Sequence, residues 1–299
     1  YLAIGQEIVS RYFSLFRLLA AGTFDDRSYR ELLAQGELLS TELFYHHLQE
    51  RKVNARLLPA LHFMSIDENQ EPELEKIGER LTPLLETMKE VEILVTQGYI
   101  CRNHRNEIDN LKRGGSDYTA SLIGAAIRAQ EIQIWTDIDG MHNNDPRVVK
   151  KTVPIAELTF DEASELAYFG AKILHPSTIV PAQKYSVPVR LKNTMDEKAP
   201  GTIISDKGSK GKFKAVAAKD GIIAINIKSS RMLLAYGFLR RVFEVFEKYK
   251  TPIDMISTSE VAVSVTIDEQ KNLEAIVNEL KNFGTIEVDQ NHSIICVVG

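Results

Sequence analysis

The sequence predicts an α/β protein in two parts: a three-layer αβα domain with a mostly parallel sheet, then a smaller unit of ferredoxin-like βαββαβ order. Three observations carry this reading. Helix-periodic and strand-periodic segments alternate as far as residue 191, a basic glycine-bearing stretch interrupts them at 207–214, and the alternation then resumes in a different order. A length of 299 residues is ample for two hydrophobic cores.

In chain order, segments 4–19, 37–51 and 73–86 place apolar residues at three- and four-residue spacing and read as helices. β-rich runs at 53–58 and 91–96 separate some of them. Glu131-Ile132-Gln133-Ile134-Trp135-Thr136 reads as a strand, and 188–191 as another. Strands alternating with helices imply a mostly parallel sheet covered on both faces. The stretch Lys207-Gly208-Ser209-Lys210-Gly211-Lys212-Phe213-Lys214 follows. A P-loop needs Ser or Thr after its Gly-Lys, and Phe213 stands there, so the stretch reads as a solvated connector. Beyond it, 222–227 is strand-like, and 237–249 sets Phe238, Val242, Val245, Phe246 and Tyr249 on one helical face. Segment 261–267 alternates as a half-buried strand, 273–283 is a second helix, and 286–288 a further strand. This is the ferredoxin-like order.

Composition removes several classes of function. The 36 basic and 41 acidic residues are mixed along the chain and leave a net charge of −5, which argues against a nucleic-acid or membrane-surface role. No apolar run approaches the ~20 residues that span a bilayer, and Glu7, Arg11 and Arg17 spoil the opening helix as a signal-peptide core. Cys101 and Cys296 lack metal-type spacing and read as buried thiols of a reducing cytoplasm. A cytoplasmic protein is expected.

The most informative stretch is Lys112-Arg113-Gly114-Gly115-Ser116-Asp117-Tyr118. Paired glycines let the backbone approach a ligand closely, and the helix-favouring run after them offers unpaired N–H groups to an anion. Lys112 and Arg113 add full charges, and Ser116 or Asp117 is placed to cap the helix. The same pattern also suits an ordinary glycine turn with a helix cap. Thr136 and Asp137 fall at the carboxyl end of the 131–136 strand, where open α/β sheets bind ligands. Asp137, Asp139 and Asp145 do not make a calcium loop, because Gly140 comes too early and the bidentate Glu is missing. The pair His46-His47 and His62 show no ligand spacing.

Longer motifs decide between the readings. GELLST (36–41), VTQGYI (95–100), RGGSDYTAS (113–121), IWTDIDGM (134–141), DPR (145–147), ELAYFGAKILHP (165–176), PVRLKNT (188–194) and PGTII (200–204), in this order, closely resemble the aspartokinase family. The resemblance runs from Gly36 to the C-terminus. It implies an amino-acid-kinase catalytic domain over 1–206, a connector over 207–219, and an ACT regulatory domain over 220–299 in which a second ACT repeat is beginning. Family members open with a K-F-G-G-T-S strand-loop whose lysine helps neutralise the transferred phosphoryl group. Nothing here matches it, so the natural polypeptide is expected to extend beyond both Tyr1 and Gly299.

The activity implied is ATP-dependent phosphorylation of the β-carboxylate of L-aspartate. A carboxylate is already ionised at neutral pH, so a general base is unnecessary, and catalysis should come from positioning and cations. By resemblance, Arg113 clamps the substrate α-carboxylate and Glu37 receives its ammonium group, with Gly114, Gly115 and Ser116 lining the substrate. Read alone, Glu37 is a helix-start carboxylate. Asp117 is expected to orient the cations or the phosphates, with Mg2+ carried in on the nucleotide. Thr136, Asp137, His142, Arg147 and Lys172 match nucleotide-contacting positions, although many relatives carry Tyr where His142 stands.

In the second unit Met232, Gly237, Phe238, Leu239, Asp254, Thr258, Ser259 and Glu260 resemble the effector pocket of lysine-sensitive members. Acidic Asp254 and Glu260 suit a ligand with two ammonium groups, and the turn at Gly237 suits its carboxylate. Lysine is the expected effector and threonine the alternative, since Ala235 stands where lysine-sensitive relatives often carry Ser. A homodimer or larger assembly is expected, with 261–267 as the pairing strand. Two other readings fit less well: the kinase part of a bifunctional aspartokinase–homoserine dehydrogenase, and an inactive amino-acid sensor. Retention of Arg113, Asp117 and Lys172 together argues against the sensor.

Overall fold

The structure, a computed structural model, describes residues 2–22, 25–112, 114–169, 174–208, 213–229 and 236–299. Arg113, Lys172, Met232 and Ala235 therefore lie outside the described residues. The chain divides into two compact units, Tyr1–Ala215 with Val298–Gly299, and Val216–Val297.

The first unit opens with two packed helices, α1 (Leu2–Ala21) and α2 (Asp26–Glu50). The sequence pattern placed the second helix at 37–51; it starts earlier because Asp25 caps it, accepting the Ser28 N–H at 2.7 Å. Strands β1 (Ala55–Leu57) and β2 (Ile93–Val95) pair in parallel across the intervening α3 (Leu74–Glu86). A short antiparallel hairpin, β3 (Ile100–Arg102) and β4 (Ile108–Asn110), is tied to α2 where Arg30 meets Glu107 at 3.2 Å and Asp109 at 3.5 Å.

Then come α4 (Gly115–Ala126), β5 (Ile132–Thr136), β6 (Glu157–Thr159), α5 (Phe160–Phe169), α6 (Pro176–Lys184), β7 (Val189–Asn193) and β8 (Thr202–Ser205). The four strands form one sheet in the order β5-β7-β8-β6, parallel at β5–β7 and β6–β8 but antiparallel at β7–β8. The exception has a physical cause: residues 194–201 are too few for the crossover that a parallel return requires. Helix α4 packs against β5, α3 and α6, and α5 against β6, β8 and α6. Helix α5 starts on a reciprocal cap. The Glu162 carboxylate accepts the Thr159 N–H at 2.7 Å, and the Thr159 hydroxyl accepts the Glu162 N–H at 3.1 Å. Phe63, Met64, Ile66, Ile77, Leu81, Ile100 and Leu122 form the core under α2, α3 and α4, each such side chain stabilising the fold by about 1.5–3 kcal/mol on burial.

The second unit runs β9 (Ala215–Lys228), α7 (Phe238–Lys248), β10 (Met255–Thr258), β11 (Ala262–Ile267), α8 (Leu273–Leu280) and β12 (Thr285–Val298). Its sheet order, β10-β11-β9-β12, is the ferredoxin-like one. Phe238, Val242, Val245 and Phe246 bury against Ile223, Ile225 and Ile227 of β9 and Val263, Val265 and Ile267 of β11. Segment 261–267 is therefore interior, with β10 on one side and β9 on the other, and cannot supply the pairing edge expected of it. The edges belong to β12 and to β10, and the four residues of β10 are all exposed. Among the described residues no helix is long and apolar enough to cross a membrane.

Candidate active site

Three of the sequence motifs converge through close backbone approaches. Gly114 sits in the left-handed region at φ +72 and begins α4, and a side chain there would bring its Cβ within 2.6 Å of the His175 Cβ. Gly98 of VTQGYI lies so near Ser116 that an added Cβ would stand 2.9 Å from it. A Cβ on Gly115 would meet the Tyr99 ring at 2.8 Å. The Thr119 hydroxyl accepts the Tyr99 N–H at 3.0 Å and donates to the Gly115 carbonyl at 2.8 Å, locking the VTQGYI loop to the first turn of α4. Neither Ser116 nor Asp117 caps that helix, contrary to expectation. The N-cap is Gly114, with no side-chain bond to the first turn, which keeps both side chains available for other partners.

Asp117 lies in the first turn of α4, and burial pushes its carboxyl above the ordinary range while nearby His175 pulls the other way. His175 itself caps α6, its Nδ1 accepting from Ser177 N at 3.3 Å, with Pro176 in the first turn. Glu37 stands part-way along α2, not at its start, so the helix-dipole reading of this carboxylate falls away. Burial alone raises its carboxyl above the usual range. The segment around Glu37 is joined to the VTQGYI loop by Gln97. This buried side chain donates to the Thr41 hydroxyl at 2.8 Å and accepts the Ala60 N–H at 2.8 Å. Gln97 was not singled out from the sequence; its only signal was membership of a motif.

The second cluster follows β5. Thr136 donates to the Asp137 carboxylate at 3.0 Å, and its carbonyl accepts the Thr194 N–H at 2.7 Å. Arg147 is gripped two-pronged by Asp145, Nε to Oδ1 at 2.9 Å and one Nη to Oδ2 at 2.6 Å. That pairing leaves part of the five-donor guanidinium fork for other acceptors. His142, expected beside a base, has only 11% of its side chain exposed. Its Nε2 lies 2.7 Å from Asp139 Oδ1 and its Nδ1 2.8 Å from the Thr152 hydroxyl. Little ring face remains for stacking.

In the second unit the expected effector residues separate into two groups. Leu239 and Gly237 lie at the exposed start of α7, and Thr258, the last residue of β10, with Ser259 and Glu260 after it, lies at the exposed end of that strand. Phe238 and Asp254 do not join them. Phe238 is a core residue, edge-on to Phe283. The Asp254 side chain is 2% exposed and its Oδ1 accepts from Lys219 Nζ at 2.7 Å, while the same ammonium meets Asp268 at 2.8 Å. An ammonium ligand reaching Asp254 has to displace Lys219.

Cys101 is fully buried and its thiol is pushed up to about 12 by burial, with Asp109 adding to the shift, so it stays protonated and unreactive. Cys296 is only half-buried. Among the described residues no three His, Cys, Asp or Glu side chains cluster as a metal site.

Comparison with known proteins agrees with this geometry. Residues 6–193 match the amino acid kinase family and residues 225–281 the ACT domain. The chloroplastic aspartokinase 3 of Arabidopsis thaliana is 36% identical over 292 residues, covering 91% of this chain and 52% of that protein. The lysine-sensitive aspartokinase 3 of Escherichia coli K12 is 34% identical over 281 residues, covering 90% of this chain and 63% of that protein. A crystal structure of E. coli aspartokinase III with aspartate and ADP, in its R-state, superposes with a TM-score of 0.87 at 32% identity, covering 99% of this chain and 70% of that one. This chain thus spans between half and two thirds of the length of the two sequence relatives.

Proposed function

The chain belongs to the amino acid kinase family and, within it, to the aspartokinases; from that premise we propose that its protein transfers the γ-phosphoryl group of ATP to the β-carboxylate of L-aspartate, giving 4-phospho-L-aspartate. The observation that carries the proposal is the convergence of the VTQGYI loop, the glycine pair and His175 on the first turn of α4, where backbone N–H groups face the approach of an anion. Asp117 supplies the carboxylate of that turn, and Glu37 the one suited to the substrate ammonium group. Arg113 and Lys172 are assigned by motif to the α-carboxylate and the phosphates. Thr136, Asp137 and Arg147 are assigned to the nucleotide. His142 holds their loop and does not stack on the base.

Attack by one anion on another needs charge neutralisation and alignment more than proton transfer. A magnesium ion, when bound on the nucleotide, supplies part of that neutralisation. The carboxylate oxygens of Asp117 and Asp137 are the hard donors that fit it. Everything else falls to the chain: Gly114 and Gly115 bring the backbone to the substrate, and α4 directs its partial positive charge at it. We assign 1–206 to catalysis, 207–219 to a connector and 220–299 to an ACT sensor whose effector is lysine, with threonine the alternative. The protein is placed in the cytoplasm and self-associates through the β10 edge. The E. coli relative is described as lysine-sensitive and has been seen with aspartate and ADP, which supports the substrate, nucleotide and effector assignments.

The test is aspartyl phosphate formation by the full-length protein with ATP, L-aspartate and increasing lysine or threonine. No aspartyl phosphate sinks the catalytic reading. Inhibition by threonine alone changes the effector, and indifference to both removes the sensor. Concentration-independent monomer mass in light scattering refutes self-association.

A further inference from the structure

The PGTII motif was given no role by the sequence, and the structure supplies one. Thr202, the first residue of β8, is fully buried, and its hydroxyl accepts the Met141 N–H at 2.8 Å while donating to the Ile155 carbonyl at 2.6 Å. Met141 and Ile155 are the two feet of the loop that follows β5, and they also bond to each other, Ile155 N–H to Met141 carbonyl, at 2.7 Å. One hydroxyl therefore closes the base of the loop. Gly140 permits the approach, because a Cβ there would stand 2.4 Å from the Thr202 oxygen.

Above the base, Asn143 is laced to Val153 twice. Its N–H donates to the Val153 carbonyl at 3.0 Å, and its side-chain oxygen accepts the Val153 N–H at 2.9 Å. His142 adds a crossbrace. The Asp139 carboxylate can only accept, so the His142 Nε2 carries the proton and Nδ1 accepts from the Thr152 hydroxyl. Asp137, Asp145 and Arg147 project from this braced loop.

We propose that Thr202 is a positioning residue for the nucleotide, its hydroxyl setting the shape of the 137–155 loop from which the nucleotide is held. This rests on the reading that Asp137 and Arg147 face the nucleotide. Removing the hydroxyl leaves a buried Met141 N–H without its acceptor and lets the feet of the loop part. Aspartate, bound by other motifs, should not sense the change.

The experiment measures the KM for ATP, the KM for aspartate, kcat, and ATP affinity by calorimetry on full-length Thr202→Val, Thr202→Ser, Thr152→Val and Asp137→Ala. Thr202→Val should raise the ATP KM and weaken ATP affinity ~5- to 150-fold, with the aspartate KM unmoved. Thr202→Ser restores the hydroxyl and should bind ATP as the wild type does. Thr152→Val, which cuts the crossbrace at a half-buried site, should shift ATP alone by a smaller factor, and it carries the test if Thr202→Val does not fold. Wild-type ATP affinity in Thr202→Val, or in Thr152→Val where it stands in, overturns the proposal. So do equal shifts in both KM values, which mark a merely structural role. If Asp137→Ala leaves ATP affinity unchanged, the nucleotide reading beneath the proposal fails. If it weakens ATP while Thr202→Val does not, only the proposal fails.

Discussion

Two helices of this molecule begin on the same backbone geometry and differ in everything around it. Gly114 starts α4 at φ 72 and ψ 13, and Gly237 starts α7 at φ 77 and ψ 12, neither with a side-chain cap. Around Gly114 the space is filled by His175, and Asp117 lies in the first turn. Around Gly237 an added Cβ would meet nothing within 4 Å among the described residues, and the first turn of α7 has no acid. A left-handed glycine is needed at both for conformation, but only at Gly114 is it also needed for room. Identical local geometry thus serves an enclosed site in one unit and an open surface in the other.

The largest expected effect comes from Gly114→Ala, which combines left-handed strain of about 1–2 kcal/mol with overpacking against His175 of about 1–3 kcal/mol. Urea unfolding should show a loss near that sum, and aspartyl phosphate formation should collapse. Unchanged activity would dissolve the distinction between the two turns. Next, Asp117→Ala should lower turnover roughly 10–150-fold, the worth of one charge-assisted bond of about 1.5–3 kcal/mol.

Asp117→Asn sharpens the point through pH. The folded state holds the Asp117 proton to a higher pH than the unfolded chain does. Stability therefore falls as pH rises through the window from the ordinary carboxylate pKa to the raised one, and the penalty is complete above it. Asn removes that penalty. Thermal melts should show the variant gaining stability at neutral pH and losing the advantage in acid, while its turnover stays depressed. A variant less stable than wild type at neutral pH would make Asp117 a structural acid.

Gly237→Ala should cost only the strain, about 1–2 kcal/mol, with uninhibited turnover intact. A loss as large as at Gly114 would show that the open turn is not open. The smallest effect on basal turnover is expected for Asp254→Ala, whose carboxylate is buried against Lys219 in the second unit, so aspartyl phosphate formation without effector should match the wild type. Urea unfolding should show a loss of stability, because Asp254 is a buried partner of Lys219 and Asp268, the partner that stays, is more exposed.

How much of this was legible in the sequence depended on whether a residue's environment is written near it. The α7 face was readable because Phe238, Val242, Val245 and Phe246 repeat at helical spacing, and all four are buried. β11 was readable because it alternates strictly. β10 carries no such pattern, being exposed at every position, and so only the topology implied it. In β9 and β12 the segments read as strands were short, whereas pairing extends them to Ala215–Lys228 and Thr285–Val298. At the candidate site the motifs pointed to loops that the fold brings together, but not to which side chain faces inward. Phe238 was read as a ligand contact and packs in the core, and Asp254 was read as an open carboxylate and holds Lys219. The braces, Gln97 and Thr202, were hidden because their partners lie far along the chain, at Thr41 and Ala60 for one and at Met141 and Ile155 for the other.

The bare strand β10 has a consequence for handling the molecule. Among the described residues it pairs only with β11, and it presents Met255 and Ile256 to solvent with no lysine or proline within it. Natural sheets guard such margins with charge or proline, since an uncovered row of N–H and C=O groups is a template for any extended peptide. A fragment carrying the 216–297 unit alone should therefore be prone to slow precipitation at high concentration. A single lysine at Ile256 should keep it in solution.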